Sequence, residues 1–476
     1  VNDLDAARGL VRESGGDELL DRLDHLDRTW QEGKRRKVPA TGPQGVAAHP
    51  EFDVAMAGGG LWLLLAPLLA ARGMRVVVID RGRAGVAHRE WNASGPELRA
   101  LVSAGILTDA ELEKMVVARY RSGLCRFHRG GVYPVAGVLD HAVDAAALLS
   151  HARRRAEALG VTFVDRHAIV DEFEGRHGVL LRLRGANGEH EELTASLLVD
   201  ARGASSPYAS ADLVCPTVGG VLRGLAPGTA PDEVDEGVGE ILVTVDAAES
   251  GRQHVWEGFP GRAGELTVYL FHYASAFEPV SLVALYARFF RTRATYKRGD
   301  GKLLRPTFGF IPGWSRLTPP PAAPGRRVFL VGDAAARHSP LTMCGFGATL
   351  RSLSRAADAI EGALSSRLGP PACIVDDAPI HAFTGPLARM MASRQLGGNE
   401  LNELLDAAFA VLHSMAGDAY AKLLRDEMGE QTFMAFLRST AKRHPAVWRK
   451  ARRGLGISSL ARWGVKLAGG LARGAA

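Results

Sequence analysis

Short apolar runs punctuated by glycine alternate with helix-like stretches through the first half of the chain. Residues 53–56 (DVAM) and 76–80 (VVVID) are compact and rich in valine, as suits strands covered on both faces. Residues 178–183 and 197–200 carry the same signature, and the alanine- and arginine-rich stretch 144–159, between 76–80 and 178–183, reads as a helix. Strands alternating with helices predict an α/β unit with a Rossmann-like sheet. From about 215 to 276 the pattern changes to separated strands, EILVTVDA, HVWEGFP and ELTVYLFHYA, with no long helix between them. That spacing predicts a second, mainly antiparallel sheet. RRVFLVGDAA returns to a buried strand, and the remainder is helical in pattern.

The expected organisation is an N-terminal helical appendage at 1–50, ending in the turn-rich linker KVPATGPQG, then a discontinuous nucleotide-binding unit at 51–204 and 305–370. An antiparallel-sheet substrate unit is inserted at 205–304, and a helical region occupies 371–476. TPPPAAPG at 318–325 reads as a surface turn, and no internal repeat is visible.

Composition alters this picture little. The chain has 476 residues, 46% of them hydrophobic and 23% charged, ordinary values for a folded protein with a sizeable core. The longest apolar run, 61–71, contains Pro67 and is too short to span a bilayer, and the polar start VNDLDAARG lacks the features of a secretory signal, so a cytoplasmic location is expected. Cys125, Cys215, Cys344 and Cys373 stand far apart, with no metal-ligand spacing, and read as reduced thiols; no metal site is expected.

The net charge of +6 gathers at the end of the chain. Beyond Lys442 there is no acidic residue, while Lys442, Arg443, Arg449, Lys450, Arg452, Arg453, Arg462, Lys466 and Arg473 mix with Trp448, Leu455, Ile457, Leu460, Trp463 and Leu467. This mixture suits a helix lying on the inner face of an anionic membrane; the alternative is a basic tail whose tryptophans fold back on the body. No nucleic-acid-reading module is visible.

The chemistry-bearing segments begin at Gly58, Gly59 and Gly60, which open a G-x-G-x-x-G turn after the first strand. The place of its third glycine is held by Leu63, next to Trp62, where a side chain holds the helix away from its strand or crowds a pyrophosphate. Asp80 closes the second strand about twenty residues on, where a carboxylate can accept from ribose hydroxyls. Much later, VFLVGDAAARHSPLTMCGFGATLRSL runs a buried strand into Gly332 and Asp333, turns through Pro340, and opens a helix at Gly345, Phe346 and Gly347.

With LLVDARGASSP at 197–207 between them, these segments resemble, in order, the nucleotide-contacting segments of flavoproteins of the glutathione-reductase and hydroxybenzoate-hydroxylase type. The resemblance implies bound FAD, with Asp333 on the ribityl chain and Arg81 and Arg89 among the cofactor-binding residues. The helix start at 345–347 would face the pyrimidine edge of the flavin, where a helix N-terminus favours negative charge and hence the anionic reduced ring.

A narrower resemblance covers roughly residues 53–430. IDRG...REWNASGPELRALVSAGILTDAELEK, LLVDARGASSP, HVWEGFP, FGFIPGW and GDAAARHSPLTMCGFGATLRSLSR are similar, in order, to lycopene cyclases of the CruA and CruP type. That family implies a redox-neutral ring closure of a carotenoid, in which reduced FAD is required, NAD(P)H being admitted as an external reductant, and the flavin anion stabilises a carbocation. It also implies a lipophilic polyene taken from a membrane.

Glu257, matching the family's WE-x-FP segment and flanked by Trp256 and Phe259, is the candidate acid, since apolar surroundings raise a carboxyl pKa. Its alternative is a strand glutamate facing solvent. Arg89, Glu90, Trp91 and Asn92 either line the same cavity or start an exposed loop. His338 is a proton relay or a structural hydrogen-bonding residue. The rival functions are a redox flavoprotein (monooxygenase or prenyl reductase) and a homologue that binds FAD or carotenoid without turnover; the W-x-W-x-I-P segment of halogenases is absent.

Overall fold

In the computed structural model, which describes residues 3–31, 40–41, 49–87, 89–319, 325–342, 344–365, 378 and 380–473, the valine-rich runs pair in parallel. Phe52–Ala57 lies between Val76–Asp80 and His190–Asp200. Thr162–Asp165 adds beyond Val76–Asp80, and Val328–Leu330 pairs with the last residues of His190–Asp200. The first half of that long strand turns instead to an antiparallel meander through Val179–Gly185 and His167–Glu174. Helices Leu65–Ala71, Ala145–Ala158 and Gly345–Ser365 cover the sheet, burying Leu69, Leu148, Leu149, Leu350 and Leu353. Asp144 caps the second of these by accepting from the Ala147 amide at 2.9 Å.

Strand order reverses at Phe52–Ala57, whose chain neighbour Val76–Asp80 lies on one side and the late strands on the other. In open parallel sheets the crevice outside the carboxyl ends at such a reversal takes the ligand. The segments after Ala57, Asp80, Asp200 and Leu330 all emerge there.

The second sheet is mainly antiparallel, in the order Ala274–Ser275, Leu213–Leu225, Glu265–Phe271, Val255–Pro260, Val238–Val243, Ser122–Arg126, Val132–Val135. Gly299–Gly313 pairs along the whole of Leu213–Leu225. The sheet therefore draws residues 122–135 and 305–313 from stretches that the sequence placed in the nucleotide-binding unit. Three short strands, Trp91–Ala93, Val116–Arg119 and His141–Val143, form a third sheet.

The N-terminal segment is no appendage. Asp3–Gln31, broken only at Gly16, buries Ala7, Val11, Leu20 and Leu23 in one cluster with Trp256, Tyr286, Phe289 and Tyr296. It rests on helix Leu282–Tyr296 and strand Gly299–Gly313. Its polar composition hid this, because only one stripe of the helix is apolar. The linker residues 32–39 and 42–48, the turn residues 320–324, the boundary at 371 and Cys373 lie outside the described residues.

The C-terminal region is helical, from His381–Met391 to Ile457–Arg473. Trp463 is only 2% exposed and, with Leu455 and Leu467, joins the core of the helical region. Lys450 and Arg453 pair with Glu403 and Glu400, and Lys466 donates to the Arg316 carbonyl. Trp448, Ile457 and Val465 are exposed. Of the two readings of this segment, Trp463 follows the one in which the tryptophans fold back on the body, while Trp448 faces outward. Among the described residues, no helix is long and apolar enough to cross a membrane, and no side-chain group is arranged to hold a metal ion.

Candidate functional site

A cavity of about 360 Å³ opens between the parallel and antiparallel sheets. Its walls bring together Gly60, Arg89, Gly332, Asp333, Gly345, Phe346, Gly347 and Glu257, drawn from distant parts of the chain. Gly58 and Gly59 form the turn behind Gly60: Gly58 takes a φ of 100° against the Ala201 carbonyl, where a side chain would collide. Pro340 is buried and Arg81 exposed, and neither lines the cavity.

Asp80 holds the turn itself. Its Oδ2 accepts from the Gly59 amide and its Oδ1 from the Gly82 amide, each at 2.7 Å. Asp200, expected only as part of a strand end, is fully buried and binds Arg202 and the Ser206 hydroxyl, both at 2.7 Å. The segment 201–205 can then present its backbone to the cavity with its charges satisfied.

Glu257 stands on Val255–Pro260 and faces the cavity, on the same side of the sheet as Phe259. Trp256 points to the opposite face, where it stacks on Tyr296 at 4.7 Å, so it does not flank the carboxyl as the sequence suggested. Burial pushes the Glu257 pKa up to about 7, against the opposing effect of the Asn92 amide, which donates to Oε1 at 3.0 Å. Asn92 is positioned by Tyr269, the cross-strand partner of Glu257. The Tyr269 hydroxyl donates to the Glu90 carbonyl at 2.9 Å and clamps the 89–92 segment over the cavity. Phe271, Phe308, Phe310, Ile311 and Trp91 make the remaining wall largely apolar.

The helix Gly345–Ser365 points its first turn at this cavity. Trp91 stacks on Phe346 at 4.8 Å. Sequence reasoning missed Glu97, buried beside Gly347 and paired with Arg351, which also reaches Asp426 at 3.2 Å. Burial raises the Glu97 pKa. A carboxyl of the protein therefore already answers part of the positive helix end. His338 lines the cavity with neither ring nitrogen hydrogen-bonded; Nδ1 is 3.8 Å from Asp333 Oδ1, and burial lowers its pKa. It is a neutral imidazole without the structural hydrogen bond expected of it.

Trp62 decides how a dinucleotide fits. Its side chain lies against Gly332, whose φ is 56°, so closely that a methyl group there would collide with the indole. Its Nε1 is buried and makes no hydrogen bond. Leu63 is fully buried, and the segment Leu61–Leu64 is a 3-10 turn, so the following helix starts late, at Leu65. The glycine turn and the Gly332–Asp333 pair thus face each other across an indole ring. The cavity suits a flavin-sized ring or one end of a lipid, near the lower limit of roughly 300–1,000 Å³ for ligand pockets. A complete dinucleotide fits these residues only with the indole turned aside.

No protein-family model matches the chain, and no curated protein matches it in sequence. Solved structures match its fold. A geranylgeranyl bacteriochlorophyll reductase-like protein from Thermoplasma acidophilum aligns at TM-score 0.53 and 16% identity, over 84% of this chain and 98% of its own. The flavin-dependent halogenase CmlS aligns at 0.52 and 16%, over 89% of this chain and 76% of its own. The Diels-Alderase PyrE3 of pyrroindomycin biosynthesis aligns at 0.53 and 17%, over 79% and 81%. The fold is that of these proteins; their differing activities leave the chemistry to be read from the site.

Proposed function

We propose that the chain is a flavin-dependent enzyme acting on a lipophilic substrate, and that its reaction is the redox-neutral, acid-catalysed cyclisation of a carotenoid. The observation that carries this reading is Glu257, a carboxyl in a largely apolar cavity with a pKa raised to about 7 and a single amide donor on it. Such a group keeps its proton in about half of the molecules at neutral pH and can deliver it to an alkene. Asn92, on a segment tethered by Tyr269 through the Glu90 carbonyl, holds the carboxyl in place. FAD, held through Gly60, Asp333 and the helix tip at Gly345–Gly347, would supply negative charge beside the cationic intermediate. The halogenase and reductase among similar folds support the flavin; the Diels-Alderase supports ring formation on this scaffold.

The exposed Trp448, Ile457 and Val465, near Arg449 and Arg452, support substrate collection at an anionic membrane surface. Expression in cells that accumulate lycopene, followed by pigment chromatography, tests the whole reading. Ring-bearing products support it. A product with fewer double bonds makes the protein a polyene reductase, the second reading, and unchanged lycopene rejects both.

A further inference from the structure

Arg22 stands one helical turn before Leu26 on Asp3–Gln31, and both line the cavity. The helix is pinned there by Asp27, which accepts from the Ser281 hydroxyl and the Leu282 amide, each at 2.6 Å, and by Trp30 stacked on Phe310 at 4.5 Å. Arg89 lines the same cavity, its guanidinium lying on Gly309, and Arg81 follows Asp80 at the carboxyl end of its strand. Burial first, and then the charges of Arg89 and Arg81, hold the Arg22 pKa down against the opposing charges of Asp80 and Glu18.

Three other arginines around this sheet have counter-ions: Arg75 pairs with Asp53, Arg153 with Asp165 and Arg202 with Asp200. Among the described residues, Arg22, Arg81 and Arg89 have no hydrogen-bonded or ion-paired carboxylate. Asp80, whose charge reaches Arg22, is engaged by two backbone amides. Glu18 and Asp80 reach Arg22 through their fields alone, so the two arginines lining the cavity, with no carboxylate bonded to either, gain from an arriving anion.

We infer that Arg22 and Arg89 form a diphosphate-binding mouth, so that the ligand's anionic group sits under the N-terminal helix while its apolar or aromatic end points toward Glu257. The planar guanidinium fork suits phosphoryl oxygens. The diphosphate belongs either to FAD, in which case the inference rests on the flavin reading, or to a prenyl diphosphate.

The test is calorimetric titration of the full chain with inorganic pyrophosphate, FAD, farnesyl diphosphate and riboflavin, using the native protein, Arg22→Gln and Arg22→Lys, each checked by thermal melting. Diphosphate ligands are expected to lose tenfold or more in affinity in Arg22→Gln and less in Arg22→Lys, with riboflavin changed less than twofold. The tighter of FAD and farnesyl diphosphate identifies the source. No diphosphate bound by the native chain, undiminished binding in Arg22→Gln, or an equal loss for riboflavin overturns the inference. FAD bound equally by all three proteins overturns it and leaves the flavin reading standing. Arg22-dependent binding of pyrophosphate and farnesyl diphosphate, with no FAD bound, overturns the flavin reading alone.

Discussion

The side-chain amide of Asn92 and the carboxyl of Glu257 meet at 3.0 Å although they belong to different sheets. The donor stabilises the carboxylate and so opposes the burial that raises the Glu257 pKa to about 7. If Glu257 is the acid, its active form is the protonated one, and turnover is expected to fall about tenfold per pH unit above about 7. Asn92→Ala removes the opposing donor and should move that limb to higher pH. A pH-rate profile measured on both proteins checks the sign; a shift to lower pH would contradict the assignment.

The same carboxyl makes the fold weaker in alkali. Its folded pKa lies above the unfolded value near 4.5, so the native state prefers the proton, and stability falls as pH rises from about 4.5 to 7 and is level beyond. Glu257→Gln should therefore raise unfolding stability at pH 8 by about 1–3 kcal/mol and leave it unchanged near pH 4. Denaturant melts at the two pH values measure this, with loss of cyclisation expected in parallel.

Trp62→Ala should open the passage between the glycine turn and Gly332. FAD affinity, followed by quenching of flavin fluorescence, is expected to rise at least tenfold. Loss of a buried indole should cost about 3–5 kcal/mol of stability, visible as a lower Tm. An affinity equal to that of the native chain would mean the indole does not obstruct the ligand.

Asp27→Ala removes the acceptor of the Leu282 and Val283 amides at the start of helix Leu282–Tyr296, and with it that helix's tie to the N-terminal helix. A loss of about 1–2 kcal/mol is expected. Limited proteolysis should cut within residues 3–31 earlier than in the native protein; an unchanged cleavage pattern would show that apolar packing alone holds the helix.

Local patterns in the chain foretold the parallel strands, because doubly covered strands must be apolar throughout and Val76–Asp80 could be read directly. The meeting of Gly60, Asp333 and Glu257 at one cavity was legible through ordered motifs. Contacts that depend on which side of an element faces inward were less so. Trp256 and Glu257 are adjacent in sequence yet point to opposite faces, and Trp463 sits inside while Trp448 lies outside. Arg22 was invisible because nothing near it announces a site; its role comes from the docking of a distant helix. Glu97 was hidden for the same reason, lying beside Gly347 only through the packing of Gly95–Ser103 on Gly345–Ser365.

During synthesis, Asp3–Gln31 leaves the ribosome long before its seat on Leu282–Tyr296 and Gly299–Gly313 has been translated. The roof over the crevice is made first and waits for its seat, and Gly332, Asp333 and Gly345–Gly347 of the floor are translated later still. Val11 and Leu23 stay uncovered until that seat emerges.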